Sequence, residues 1–261
     1  MTTLKTWLGA GLLAAGAAHA QPEADLTLAF TLEAGLPVLQ ARIDGREARL
    51  LIDSGGAAAL ALRPDWAPAG DAASAVMSQD AQGQQRRNDR LVVREVVLGP
   101  HALPQAPVAQ TWGKAKRPAA ADGYLGWGWL RERRWVIDYA AGQLQRLAPG
   151  SPLPAACGGA PLPFDMLGSL AVVRLQAADG RLLALGLDTG ASRNVITPGL
   201  AEAVAGGTLT AERRVLQAGP FVSVPLQVPG LDGFLGQDFF SRYRVCMDPA
   251  RRQLWLQPLA G

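Results

Sequence analysis

Histidine is almost missing from this chain. Only two of its 261 residues are His, and one of them, His19, lies in a leading stretch read below as removed, which leaves His101 alone. A multi-histidine metal site is thereby excluded, and Ser-His-Asp or Cys-His catalysis has little to draw on. Cysteine is equally scarce. Cys157 and Cys246 are far apart and form no CxxC pair, so zinc-ribbon, iron–sulfur and thioredoxin-like chemistries fall away. The two can bridge in an oxidising compartment or stay as buried thiols, and the sequence leaves both open. Charge is sparse at 18% of residues with a formal net of +3, and acids are interspersed with bases, which gives nucleic acid or a membrane surface no foothold. No metal and no cofactor are expected. Any chemistry must rest on carboxylates.

A long apolar run is lacking too. Lys5 precedes an Ala-rich apolar stretch at residues 7–17, well short of the roughly 20 residues a membrane span needs. Ala18-His19-Ala20 then forms a small-x-small cleavage signature before the polar Gln21-Pro22-Glu23. Residues 1–20 therefore read as a secretory signal peptide cut after Ala20, with no Cys after the cut to carry a lipid anchor. The expected location is periplasmic or secreted, with no membrane attachment after cleavage. Abundant Ala and an excess of Arg over Lys point to a GC-rich bacterial genome.

What the chain does have, it has twice. Residues 39–52 alternate in polarity around Asp44-Gly45, a hairpin signature, and run directly into Asp53-Ser54-Gly55. Residues 172–187 do the same around Asp179-Gly180 and run into Asp188-Thr189-Gly190. The interval from turn Asp to second Asp is 9 in both copies (53 − 44 and 188 − 179). A second unit, Asp122-Gly123-Tyr124-Leu125-Gly126, returns as Asp232-Gly233-Phe234-Leu235-Gly236, offset by 110, and the frame holds on to Asp138 against Asp248 and Leu144 against Leu254. Two homologous halves follow, an N-terminal lobe at 21–147 and a C-terminal lobe at 164–261, joined by a Pro/Gly-rich linker at 148–163. The first half carries about 25 extra residues between its two motifs (69 against 44). They include residues 76–85, read as a hairpin with its tip near Gln82-Gly83. Short helices are expected after Thr197-Pro198 and after each Leu-Gly.

An Asp ending a buried apolar strand is costly unless its charge is shared or hydrogen-bonded. Two such Asp in equivalent frames imply that each half supplies one to a common site, where neighbouring carboxylates cannot both ionise easily and hold one proton between them. The ionised partner can then take a proton from a water attacking a carbonyl that the protonated partner polarises.

With these residues assembled, the chain resembles the aspartic proteases of the pepsin and retropepsin superfamily, through Asp53-Ser54-Gly55 and Asp188-Thr189-Gly190-Ala191-Ser192, each paired with a downstream apolar-apolar-Gly element. The resemblance implies an all-β fold of two lobes with the active site between them. It implies Asp53 and Asp188 as the catalytic dyad, Ser54 and Thr189 cross-bracing the two loops, and Gly55 and Gly190 opening the backbone to the carboxylates. It makes Gln82 and Gly83 the tip of a flap over substrate. The short halves, and Ala191, look like the bacterial retropepsin-like branch. Pepsin-like members carry Ser or Thr three residues after the Asp, where this chain has Gly56 and Ala191, and their flap Tyr has no counterpart here. The expected function is an exported, monomeric endopeptidase acting on polypeptide. The alternatives are a non-catalytic peptide-binding module on the same fold, for which Gly56 speaks, and a carbohydrate-binding or envelope scaffold, for which only the tryptophans speak. Those tryptophans read as core, His101 and the cluster Arg131, Arg133 and Arg134 as surface, and Asp122, Asp138, Asp232 and Asp248 as turn formers.

Overall fold

Alternation of apolar and polar residues drives the chain almost wholly into strands. In Ala24–Glu33, Leu26, Leu28 and Phe30 are buried while Asp25, Thr27 and Ala29 between them are exposed, the period of a half-covered strand. The computed structural model describes residues 24–66, 75–112 and 121–259. The signal peptide expected at 1–20 lies outside these residues. Among them the only α-helices are two single turns, Trp127–Leu130 and Gln237–Phe240, one after each Leu-Gly, and a 3-10 turn, Pro198–Leu200, follows Thr197.

Each half builds its own sheet around the repeated hairpin. Leu36–Ile43 pairs antiparallel with Arg46–Asp53 across Asp44-Gly45, both in the left-handed region (φ 46° and 82°), which is why Gly follows Asp there. Leu170–Gln176 pairs likewise with Leu182–Leu187. The second repeated motif then lies parallel beside the first. Gly123–Gly126 runs alongside Arg46–Asp53 with Gly126 opposite Asp53, and Gly233–Leu235 alongside Leu182–Leu187 with Leu235 opposite Leu187. Motifs distant in sequence recur together because they are neighbouring strands. The aspartates before them are structural in both halves: an Asp122 carboxylate oxygen accepts from the Arg49 N–H at 3.0 Å, and one of Asp232 from the Ala184 N–H at 2.8 Å.

A shared antiparallel sheet joins the lobes in the order Ala24–Glu33, Gln143–Leu147, Trp135–Asp138, Tyr243–Asp248, Gln253–Pro258, Leu162–Leu167. The equivalent strands of the two halves meet at its centre, where Asp138 sits opposite Arg244 and Val136 opposite Cys246. Cys246 is fully buried there and is bonded to Cys157 on the 3-10 turn Ala155–Cys157, which settles the open question of the cysteines in favour of a disulfide. Closing a loop of 89 residues removes about 4–5 kcal/mol of unfolded-chain freedom in the chain-entropy picture. Trp66, Trp112, Trp127, Trp129 and Trp135 are all buried and Trp255 half-buried, so the indoles pack the interior instead of forming an exposed stacking platform.

Candidate functional site

The two Asp-hydroxyl-Gly tripeptides meet where the lobes touch. Each follows directly on a buried strand whose register is fixed by its parallel neighbour, so the loops are held before any side chain acts. Ser54 and Thr189, both buried, then lock them together reciprocally. The Ser54 N–H donates to Thr189 Oγ1 at 2.9 Å, and the Thr189 N–H donates to Ser54 Oγ at 3.0 Å. Each hydroxyl in turn donates across to the strand below the other loop, Ser54 Oγ to the Leu187 carbonyl at 2.9 Å and Thr189 Oγ1 to the Ile52 carbonyl at 2.7 Å. Four hydrogen bonds thus leave both buried hydroxyls and both N–H groups satisfied.

The carboxyl groups cross over in the same way. A Cβ added to Gly55 would come within 2.5–2.9 Å of the Asp188 carboxyl atoms, and one added to Gly190 within 2.5–3.0 Å of those of Asp53. Each carboxyl therefore rests on the other loop's glycine, and no larger residue fits. Within its own loop, Asp53 Oδ1 accepts from the Gly56 N–H at 2.8 Å and Asp188 Oδ1 from the Gly190 N–H at 2.9 Å.

The residues that follow each Leu-Gly brace this arrangement from behind. The Trp127 N–H donates to the Gly56 carbonyl at 2.7 Å and the Gln237 N–H to the Ala191 carbonyl at 2.9 Å, the same bond in each half. Side chains there are less symmetrical. Gln237, buried, donates through Nε2 to the Thr189 carbonyl at 3.0 Å and to the Tyr139 hydroxyl at 3.3 Å, so a tyrosine of the first half reaches beneath the second half's loop. Burial pushes the Tyr139 phenol well above its ordinary pKa, and the Asp188 charge adds to that against the opposing Gln237 donor. Asn194, fully buried, accepts from the Gly236 N–H at 2.8 Å and donates to the carbonyls of Ala218 and Pro220. Sequence reasoning passed over Gln237, Tyr139 and Asn194. The repeat did not mark the first two, since offset by 110 they align with the unlike residues Trp127 and Pro249.

The extra segment of the first half forms the expected hairpin, Val76–Gln79 against Gln85–Asn88. Asp80 shapes its tip, one carboxylate oxygen accepting from the N–H groups of Gln82 and Gln84 at 3.1 and 2.9 Å. Gln82 and Gly83 are placed against the opposite half, where the Gln227 N–H donates to the Ala81 carbonyl at 2.9 Å. His101 is a half-exposed strand residue whose ring nitrogen lies 3.2 Å from the Thr27 carbonyl, away from both loops. Among the described residues no cluster of His, Cys, Asp and Glu could hold a metal ion.

The sequence matches no protein-family model and no curated protein. Solved structures do match. An aspartic proteinase from Irpex lacteus superposes with a TM-score of 0.62 over 90% of this chain and 97% of its own, at 13% identity. Basic 7S globulin from soybean superposes with the same TM-score over 89% of this chain and 94% of its own, at 11% identity. At such identities the likeness concerns architecture: the chain has the all-β, two-lobed fold of the aspartic proteinases.

Proposed function

We propose that the protein is an exported aspartic endopeptidase in which Asp53 and Asp188 hold one proton and one water between them. The observation that carries this reading is the reciprocal seating of the two carboxyls, each on the other loop's glycine, with Ser54 and Thr189 crossed beneath them. In the reaction the ionised aspartate takes a proton from the water as its oxygen bonds to the peptide carbonyl carbon. The protonated aspartate gives its proton to the carbonyl oxygen. Collapse of the tetrahedral adduct breaks the C–N bond: the protonated carboxyl gives its proton to the departing amine while the other carboxylate takes one from a hydroxyl of the adduct, so the pair ends singly protonated. Rigid loops matter because the water and the carbonyl must meet in one geometry.

Gln82 and Gly83 would cover an extended substrate from above, and polypeptide is the substrate class that such a covered strand-shaped cleft suits. A periplasmic or secreted location agrees with the disulfide and with the signal-like residues 1–20, and among the described residues no helix is long and apolar enough to cross a membrane. The short halves and Ala191 favour the bacterial retropepsin-like branch, and the lobes would fall at 21–147 and 164–261.

A binding module without turnover is the second reading. It is favoured by a similar structure that is named a globulin and not a proteinase. Cleavage of a mixed peptide library between pH 3 and 8 separates the two. Turnover by the mature protein, lost in both Asp53→Asn and Asp188→Asn, is the expected result. Peptide binding without cleavage at any pH assigns the fold to the second reading.

A further inference from the structure

Gly56 and Tyr124 are 68 positions apart and occupy one space. A Cβ on Gly56 would fall inside the Tyr124 ring, within 2.9 Å of Cδ2 and Cζ and closer still to Cε2. The second half solves the same problem elsewhere. Its residue three after the aspartate, Ala191, keeps a Cβ, and its repeat-matched ring, Phe234, lies over Gly186, where a Cβ would come 2.9 Å from Phe234 Cδ1. Each aromatic thus has a glycine floor. In the second half the floor is the strand leading to Asp188, and in the first it is the very loop that carries Asp53.

The Tyr124 ring is firmly held. Its backbone is paired opposite Leu51, Trp112 meets it edge-to-face at 5.5 Å and 82°, and Leu36, Val38 and Ala61 complete the buried cluster. The Gly56 N–H in turn donates to Asp53 Oδ1 at 2.8 Å, so the ring packs on the residue that holds the carboxyl. Burial first, and the Asp53 charge second, push the phenol above its ordinary pKa, against the opposing backbone N–H of Ala58.

We propose that Tyr124 is the positioning residue for Asp53, its ring seated on Gly56 to fix the loop whose Gly56 N–H holds that carboxyl. The inference rests on the reading of Asp53 as half of the dyad. It turns Gly56 from a lost side chain into a space reserved for another.

Two measurements test it, neither needing turnover. In thermal unfolding, Gly56→Ala lowers the midpoint in the wild-type background by about 4 °C or more, an overpacking cost, and loses that cost when combined with Tyr124→Leu. In a carbon-detected titration of the Asp53 carboxyl, Tyr124→Leu, which removes the ring and loosens the Gly56 N–H, raises the apparent pKa by about half a unit, while Tyr124→Phe, which keeps the ring, leaves it at the wild-type position. Additive costs in the first measurement, or an Asp53 titration in Tyr124→Leu that superimposes on the wild type, overturn the proposal. A wild-type protein that cleaves no peptide overturns the peptidase reading alone, because both measurements still report on Asp53.

Discussion

The loops around Asp53 and Asp188 share a backbone and differ in what stands behind it. Behind the first is aromatic bulk. Tyr124 lies on Gly56, and Trp127, buried, meets Phe164 of the other half edge-to-face at 6.1 Å. Behind the second is a polar relay, Thr189 carbonyl to Gln237 to Tyr139, again crossing from one half to the other. The repeat keeps what covalent geometry demands, namely close approaches at Gly55, Gly126, Gly190 and Gly236 that no Cβ can share. It leaves the supporting side chains free to differ. An apolar support resists deformation through packing density, and a polar one through direction.

The sharpest way to break this comparison is to truncate the matched supports. Trp127→Ala opens a large cavity at the lobe junction and is expected to cost about 3–5 kcal/mol of unfolding free energy. Gln237→Ala removes one good hydrogen bond to Thr189 and is expected to cost about 1–2 kcal/mol, eased because Gln237 Oε1 is itself buried without a partner. Denaturant melts of both variants check the ranking. Equal costs would show that the two loops are held in the same way after all.

Much of this site was legible in the sequence, and the reason is geometric. A hairpin turn needs Asp-Gly, the strand after it must be apolar, and the paired Leu-Gly must be free of a Cβ, so backbone demands recur as a spaced pattern. What stayed hidden are pairings specific to one half: Gly56 with Tyr124, Gln237 with Tyr139, and Ala81 with Gln227. Each joins residues far apart, and no periodicity marks it. Gly56 shows the difficulty well, since its cause lies in a ring one strand away. The cysteines were undecided for a related reason, because only the central sheet's register brings Cys246 beside the turn at residues 155–157.

A smaller contrast lies in the repeated aspartates of the central sheet. Both cap a turn, Asp138 accepting from the Ala141 N–H and Asp248 from the Arg251 N–H, each at 3.0 Å. Only Asp138 also reaches across the lobes, where Arg244 Nε lies 2.8 Å away. Burial opposes its charge, but the Ala141 N–H and the Arg244 guanidinium outweigh that and hold the carboxyl below its ordinary value of 3.8. Because the folded value is the lower one, this stabilisation is complete above about pH 4 and is lost as pH falls through the folded value. Asp138→Asn should therefore cost about 1 kcal/mol at pH 7 and almost nothing near pH 2. A cost that persists in strong acid would place the effect in packing and not in charge.

The last contrast is between a lobe that has a hairpin and a lobe that receives it. Gly83 sits at φ 80°, and a Cβ there would meet Gln227 Oε1 at 2.6 Å, the movable end of a side chain. Gly83→Ala must bear a left-handed backbone at roughly 1 kcal/mol and displace that amide, yet Val76–Gln79 and Gln85–Asn88 pair only with each other. The strain can therefore be relieved by lifting the tip away from residue 227, without disturbing either core. The midpoint of global unfolding should hardly move, while exchange of the Gln227 amide hydrogen, which the Ala81 carbonyl protects, should quicken about fivefold. Unchanged exchange at Gln227 alongside a lowered midpoint would mean that the hairpin is part of the cooperative core, and that the halves differ less in rigidity than in outline.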